Sequence, residues 1–312
     1  MIAFGPIPSR RLGKSLGINN ISGKKVCSYS CIYCQVGKTT NYKSDPESFY
    51  DSNVIFNEVR KHLDKINKND WPDYLTFVSN GEPTLDINLD KTIELLKTLK
   101  IPVAVITNAS LLHNKEVRNR LISADWVSVK IDTDEEDIWN NINRPYSGSD
   151  FAKHIEGLIT FTNEYKGILC SETMLVKEIN DNKNTLQKTA ELVAKINPDT
   201  AYISIPTRPP AYSSVKAPYE EKINEAFQIF SENDIKTELL LGFEGTNTGF
   251  TGNAFEDIVN ICTVHPIRED TMKEILKKDN ADYDVVDSLI YDRTIKKISY
   301  NSKTFYIRNF NI

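Results

Sequence analysis

From about residue 54 the sequence alternates amphipathic stretches with short apolar stretches, and this alternation limits the folds that the chain can adopt. The amphipathic stretches carry apolar residues at helical spacing, whereas the apolar stretches are rich in Val, Ile, Leu and Tyr, as buried strands are. The predicted strands are DYLTFVSN, PVAVITN, WVSVKID, GILCSETMLV, TAYISIP and KTELLLGF. Strands separated by helices in this way predict βαβ units and a parallel sheet.

One more predicted strand, LGKSLGINNI, precedes a cluster of cysteines, which brings the count to six or seven strand–helix units. A closed eight-fold barrel needs more units than the sequence contains. The fold class that we predict is therefore α/β, with an open or partial barrel.

The alternation ends near residue 262, and the remaining sequence has a different pattern. Residues 265–278 and 282–293 are predicted helices, and residues 295–310 are a predicted hairpin with its turn at Asn301 and Ser302. Two helices followed by a two-stranded wing are typical of a winged-helix-like domain. We therefore predict a barrel domain over residues 1–250 and a small winged-helix-like domain over residues 251–312.

The net charge and the N-terminal sequence indicate where the protein works and which large ligands it binds poorly. The net charge of −5 argues against binding of a polyanion by the whole protein surface. It is compatible with a local basic site. The N-terminal stretch MIAFGPIPSRRLGKS does not resemble a secretory signal, and no apolar run reaches bilayer-spanning length. We expect a cytoplasmic protein without membrane contact, in a compartment that keeps thiols reduced.

The stretch VCSYSCIYCQVG places Cys27, Cys31 and Cys34 within eight residues. In a reducing compartment such a cluster indicates metal binding or catalysis. A structural zinc site needs a fourth ligand, and the nearest histidine, His62, lies in a predicted helix. Thiolate ligation of an iron–sulfur cluster suits three cysteines better, since a cubane held by three protein ligands leaves one iron open. Cys170 and Cys262 are expected to be buried core thiols.

The spacing CxxxCxxC, with the aromatic Tyr33 before the last cysteine, resembles the signature of the radical SAM superfamily. The resemblance implies a partial (β/α)6 barrel, a [4Fe–4S] cluster on these cysteines and S-adenosylmethionine (SAM) bound at the open iron. It further implies an enzyme that reductively cleaves SAM to a 5′-deoxyadenosyl radical and abstracts hydrogen from a substrate. The electron would come from a donor of the flavodoxin or ferredoxin type.

Several strand ends carry residues that the resemblance places near SAM. The stretch Ser79–Thr84 resembles the family's Gly-Glu-Pro segment, which contacts the SAM amino group, although a plain strand-to-helix turn would also suit it. A period of two places Lys130 and Asp132 on one face of their strand, either as SAM contacts or as a structural ion pair. The predicted cofactor contacts are Tyr33, Gly81, Glu82, Pro83, Thr107, Asn108, Lys130, Asp132 and Glu172.

The stretches GPIPSRRLGKSLGINN, PTRPP and VHPIRED resemble a radical SAM group related to wyosine-type tRNA-modifying enzymes. The archaeal wyosine enzymes carry a second cluster on earlier cysteines, and no cysteine precedes Cys27 in this chain. Arginines near the strand ends are candidates for binding a phosphate or carboxylate of the substrate. The alternative is that they are solvated or form ion pairs within the protein. These substrate candidates are Arg10, Arg11, Arg144 and Arg208, and Tyr212 either stacks on a planar substrate or packs in the core.

Three hypotheses for the target stay open at the level of sequence. Kinship with the wyosine group favours RNA modification. The cysteine spacing is shared with activating enzymes of glycyl-radical proteins, and winged-helix-like domains also bind peptides, which favours a peptide or protein substrate. A non-enzymatic iron–sulfur or zinc sensor that binds DNA is the alternative of another class, and it leaves the barrel pattern unexplained.

Overall fold

The structure is a computed structural model that describes residues 2–309, so Phe310, at the end of the predicted hairpin, lies outside the described residues. Its main sheet has eight strands in the order β1-β2-β5-β6-β7-β8-β9-β10 and curls into a half-barrel. These strands are β1 (Ala3–Ser9), β2 (Gly13–Ile18), β5 (Tyr74–Phe77), β6 (Val103–Thr107), β7 (Trp126–Lys130), β8 (Ile168–Met174), β9 (Thr200–Ser204) and β10 (Thr237–Leu240). Two short strands, β3 (Val26–Cys27) and β4 (Asn41–Tyr42), pair in parallel.

Within residues 2–309, seven α-helices connect or follow the sheet strands, and three more belong to the C-terminal part. The first seven are α1 (Ser52–Lys65), α2 (Leu89–Lys97), α3 (Lys115–Leu121), α4 (Glu136–Ile142), α5 (Phe151–Glu164), α6 (Lys183–Ile196) and α7 (Glu220–Glu232). Asp51, Asp150 and Asn182 accept hydrogen bonds from backbone N–H groups in the first turns of α1, α5 and α6. Such side-chain caps satisfy N–H groups that have no partner inside a helix.

All neighbouring strands from β2 to β10 pair in parallel, which confirms the partial α/β barrel. The sequence did not predict β1, which pairs antiparallel with β2 at the edge of the sheet. Pro6 and Pro8 lie within β1, and proline disfavours a strand prediction because it lacks the N–H that a central strand needs. An edge strand tolerates them because one of its sides has no strand partner.

The two edge strands of the curled sheet, β1 and β10, do not pair with each other, but hydrogen bonds from adjacent segments connect them. Arg10 Nη1 donates to the carbonyl oxygens of Leu240 (2.5 Å) and Gly242 (3.2 Å), at the end of the opposite edge strand β10. The N–H of Gly249 donates to the carbonyl oxygen of Pro6 in β1 over 2.5 Å. The segment after β10 therefore runs along β1 and bridges the gap in the barrel.

Apolar packing covers both faces of the sheet. The large core lies between the strands and the surrounding helices, and Leu16, Leu75 and Val103 are completely buried in it. A smaller cluster fills the concave face, where Leu12 contacts the group formed by Ala104, Trp126, Cys170, Tyr202 and Leu240. The hairpin turn between β1 and β2 therefore packs inside the half-barrel. Arg10 and Arg11 belong to this turn and lie there as well.

The C-terminal part contains α8 (Ala254–Val264), β11 (Ile267–Arg268), α9 (Glu269–Lys278), α10 (Asp284–Tyr291), β12 (Ile295–Tyr300) and β13 (Lys303–Arg308). The two predicted helices and the hairpin are confirmed, and the turn residues Asn301 and Ser302 both have positive φ, as a type I′ turn requires. The sequence missed α8 and the third strand of the sheet β11-β13-β12. The winged-helix assignment and the domain boundary at residue 250 stay predictions.

Residues of β1 contribute to the core of this C-terminal part. Phe4 and Ile7 are buried in one cluster with Ile258 of α8, Met272 of α9 and Leu289 of α10. Among the helices of residues 2–309, none is both long enough and apolar enough to cross a membrane.

Candidate functional site

The cysteine loop begins at β3 and is attached to the end of β5 by backbone hydrogen bonds. The N–H of Val26 donates to Asn80 O over 3.2 Å, and the N–H of Glu82 donates to Val26 O over 3.0 Å. Gly81 has a φ of +144°, and a Cβ atom added there would lie 1.6 Å from Val26 O. Only glycine allows the two backbones to approach this closely, so Gly81 fixes the cysteine loop against the strand end.

Each of the three clustered thiols lies next to a different nitrogen donor. Asn108 Nδ2 lies 3.5 Å from Cys27 Sγ, Asn143 Nδ2 lies 3.5 Å from Cys31 Sγ, and Lys25 Nζ lies 3.2 Å from Cys34 Sγ. Donors of this kind stabilise an anionic sulfur and tune the potential of an iron–sulfur cluster. This donor set fits thiolate ligands.

Burial affects the ionisation of Cys27 and Cys31. It raises the pKa of Cys27 to about 12 and the pKa of Cys31 to about 11, so both side chains are protonated at neutral pH without metal. Metal ligation would release these protons, since thiolates are the ligating form. Among residues 2–309, no group of three or more His, Cys, Asp or Glu side chains is arranged to hold a single metal ion.

Glu82, in the segment that follows β5, is buried and accepts four hydrogen bonds from residues 2–309. Its Oε1 accepts from the backbone N–H (3.0 Å) and hydroxyl (2.6 Å) of Thr84 and from the hydroxyl of Thr107 (2.6 Å). Its Oε2 accepts one hydrogen bond, from the N–H of Asn108 over 2.8 Å. Burial raises the pKa of Glu82, and these hydrogen bonds oppose the rise. The structure thus brings Glu82, Thr107 and Asn108 together, next to Cys27.

Asp132 connects the cysteine loop to the end of β7. Its carboxylate accepts hydrogen bonds from the Tyr33 hydroxyl, from Asn143 Nδ2 (2.7 Å) and from the N–H of Met174 (2.9 Å). Lys130 Nζ lies 3.4 Å from its Oδ1, which confirms that Lys130 and Asp132 share a face. The carboxylate therefore has protein partners on both oxygens, and it orients two side chains that contact the cysteine loop.

Glu172 of β8 extends this ionic network toward the hairpin turn. It pairs with Arg11, lies 3.4 Å from Lys130 Nζ and accepts a hydrogen bond of 2.8 Å from the hydroxyl of Ser204. Burial alone would raise the pKa of Glu172, but Lys130 and Arg11 outweigh it and hold this pKa well below its usual range. Glu172 is therefore ionised at every physiological pH.

Three of the four candidate arginines line one cavity inside the half-barrel. This cavity of about 120 Å³ is lined by Arg10, Arg11 and Arg208, and by Gln35, which directly follows Cys34. Arg208 Nη1 donates to Gln35 Oε1 over 2.7 Å. Arg144 is not part of the group: its guanidinium lies 4.3 Å from the ring centre of Tyr212, with Lys38 Nζ also 4.2 Å from that centre.

A second cavity, of about 290 Å³, lies between the barrel and the C-terminal part. Arg208, Glu244 and His265 line both cavities. Glu244 pairs with Arg208 and lies 3.1 Å from His265 Nε2. Gln35 Nε2 also donates to Val264 O over 3.0 Å, so the cysteine loop and the C-terminal part are directly connected.

Sequence reasoning missed several residues that the structure places at the site. Lys25 and Gln35 flank the cysteine motif, and their positions beside it were the available signal. Asn143 follows α4, a short helix that the sequence did not predict. Glu244 carried no signal in the sequence, whereas His265 lies in VHPIRED, one of the stretches that carried the family resemblance. The expected core thiols Cys170 and Cys262 are both buried, as predicted.

The profile of the radical SAM superfamily matches residues 21–193, which include the cysteine loop and the strand ends described above. The chain belongs to the radical SAM superfamily. Membership implies SAM and an iron–sulfur cluster as cofactors. Because members of this superfamily are enzymes, the alternative of a non-enzymatic DNA-binding sensor is not supported.

Comparison with known proteins gives one relative similar along nearly the whole chain and solved structures with a similar fold. The UPF0026 protein MJ1312 of Methanocaldococcus jannaschii is 45% identical over 310 residues, which cover 99% of this chain and 96% of that protein. A radical SAM methyltransferase from Sphaerobacter thermophilus shares the fold, with a TM-score of 0.53 and 14% identity over 73% of this chain and 66% of its own. TYW1 with a lysine-pyruvate adduct bound aligns over 97% of this chain and 83% of its own, at 13% identity and a TM-score of 0.45, which is too weak to carry a functional argument.

Proposed function

We propose that this radical SAM protein holds a [4Fe–4S] cluster on Cys27, Cys31 and Cys34 and uses it to cleave SAM reductively. The observation that carries the proposal is the set of three thiols with three separate nitrogen donors, on a loop fixed against the Gly-Glu-Pro strand end. When bound, the two cofactors supply a 5′-deoxyadenosyl radical that abstracts hydrogen from the substrate.

The residues around the loop have separable roles in this proposal. Lys25, Asn108 and Asn143 donate hydrogen bonds to the sulfur ligands and offset their negative charge. Glu82 Oε2 accepts a single hydrogen bond from the protein, so it has capacity to accept one from the ammonium group of SAM. Gly81 and Pro83 shape the strand end that presents this carboxylate.

Asp132 is a positioning residue in this proposal. It holds Tyr33 and Asn143, and Asn143 in turn donates to Cys31. Because both of its carboxylate oxygens have protein partners, its main contribution is the orientation of the cysteine loop. Lys130 and Glu172, in the same ionic network, line the side of the barrel that a bound nucleoside would face.

An electron donor of the flavodoxin or ferredoxin type would reduce the cluster. The predictions of an RNA and of a peptide or protein substrate both carry over to this proposal. The cavity beside Gln35 measures about 120 Å³, which favours a small substrate or one small protruding group of a larger one. Loss of a modified nucleoside in a deletion strain would select RNA, and a mass change in a candidate peptide would select the alternative.

The test is the release of 5′-deoxyadenosine by anaerobically reconstituted protein given SAM and dithionite. We expect the wild-type protein to release it and Cys31→Ala to lose both the cluster absorbance and the product. Cys262→Ala is the matched control, because Cys262 is a buried thiol of the C-terminal core, and it should retain both. A Cys31→Ala protein that still released 5′-deoxyadenosine would refute the proposal.

A further inference from the structure

The cavity in the half-barrel is lined by an unusual concentration of guanidinium groups. Arg10 and Arg11 come from the β1–β2 turn, and Arg208 comes from the loop after β9. The cavity is bounded on one side by Gln35, the residue after Cys34, and its walls include the hydroxyl-bearing side chains of Ser15 and Thr76. Gly81, Glu82, Asn108 and Asp132 do not line it, so it is separate from the strand ends where SAM is expected.

The charges around this cavity do not cancel. Within residues 2–309, Arg11 pairs with Glu172 and Arg208 pairs with Glu244, whereas Arg10 has no carboxylate oxygen within 4.0 Å. Glu172 also attracts Arg10 at longer range but already pairs with Arg11 and Lys130, so two carboxylates are shared among the three guanidinium groups. A partly buried cation without a directly paired carboxylate is costly in free energy, and a ligand anion would lower that cost.

Arg10 is also held in a fixed position. Its Nη1 donates to the carbonyl oxygens of Leu240 (2.5 Å) and Gly242 (3.2 Å), which orients the guanidinium across the gap between the sheet edges. The Arg10 side chain is partly buried, and this burial lowers its pKa. A preorganised, partly buried guanidinium is well suited to bind a carboxylate or phosphate, with little reorganisation on binding.

We propose that the cavity lined by Arg10, Arg11 and Arg208 binds an anionic group, carboxylate or phosphate, of the substrate. This inference rests on the proposed function, because it supplies the substrate class for the reaction proposed at the cysteine loop. A cavity of about 120 Å³ is somewhat smaller than one of roughly 150 Å³ that takes benzene. It therefore fits a single phosphate or a carboxylate on a short carbon stem, held beside the cysteine loop.

The test uses two anions as probes, inorganic phosphate and propionate, titrated into the reconstituted holoenzyme by calorimetry at low ionic strength. We expect at least one of them to bind to the wild-type protein, and Arg10→Gln to bind it at least about tenfold more weakly. Arg60→Gln is the matched control, because Arg60 is exposed on α1 and the net charge change is identical. Tighter binding of phosphate selects a phosphorylated substrate, and tighter binding of propionate selects a carboxylate.

A second measurement avoids any dependence on how well the Arg10→Gln variant folds. Wild-type protein is treated with phenylglyoxal, and the modified arginines are located by mass spectrometry. The bound anion should slow modification of Arg10 and leave Arg60 unaffected.

Binding of neither anion, or equal weakening by Arg10→Gln and Arg60→Gln, would overturn the inference. Failure of 5′-deoxyadenosine release would instead count against the proposed function, because anion binding is measured without SAM.

Discussion

Replacement of Gly81 by alanine should destabilise the protein more than a glycine substitution usually does. The added Cβ would lie 1.6 Å from the backbone oxygen of Val26, and backbone cannot rotate away as a long side chain would. Overpacking of this kind costs about 1–3 kcal/mol, and the φ of +144° adds about 1–3 kcal/mol of backbone strain. We expect Gly81→Ala to lower the free energy of unfolding by the sum of these two costs, about 2–6 kcal/mol, measured by urea denaturation.

The control is Gly23→Ala. Gly23 also has a positive φ, +74°, but a Cβ there would meet no atom within 4 Å. Its substitution should cost only the backbone strain, about 1–3 kcal/mol, without the overpacking. Iron content after reconstitution should fall for Gly81→Ala and stay unchanged for Gly23→Ala. If the two variants were equally stable, the close approach of Gly81 to Val26 would not be what fixes the cysteine loop.

Three further substitutions test the site and its surroundings. Lys25→Met removes the charged hydrogen-bond donor to Cys34. The reduction potential of the cluster should therefore fall by about 60–130 mV in a redox titration, which is the free energy of one charge-assisted hydrogen bond converted for a one-electron couple. Asp132→Ala leaves Lys130 without one buried partner and should cost about 3–5 kcal/mol in urea unfolding. Burial raises the pKa of Asp86 in the folded protein to about 6, above its value in the unfolded chain. The folded state therefore favours the protonated carboxyl. The stability that this protonation contributes is present below about pH 4 and is lost as the pH rises through about 6. Asp86→Asn should therefore remove up to about 3 kcal/mol of this pH dependence, measured by urea unfolding across that range.

Each of these substitutions has a neighbouring control and a contrary outcome. Lys24→Met changes an exposed lysine, and equal potential shifts in the two lysine variants would argue against the Lys25 hydrogen bond. Asp137→Ala changes an exposed carboxylate of α4, and an equal loss of stability would count against the Asp132 network. An unchanged slope of stability against pH in Asp86→Asn would mean that another group titrates in this range.

Local sequence patterns predicted the alternation of strands and helices, because apolar periodicity depends on neighbours in the chain. The candidate site residues came mainly from the family resemblance, because the site joins residues far apart in the sequence. The period of two placed Lys130 and Asp132 on one face, and the ion pair between them confirms it. Strand β1 was not predicted because its prolines suit only an edge position, which the sequence does not reveal. The contact of Arg10 with Leu240 was beyond prediction, because it joins residues 230 positions apart through the curl of the sheet.

The central claim is that the three clustered cysteines hold a cluster with one iron open to SAM. Electron paramagnetic resonance of the dithionite-reduced, reconstituted protein, recorded before and after addition of SAM, tests it most directly. We predict about four irons per chain, a reduced-cluster signal and a change in that signal on addition of SAM. Bound zinc in place of iron, or a reduced-cluster signal that SAM leaves unchanged, would contradict the claim.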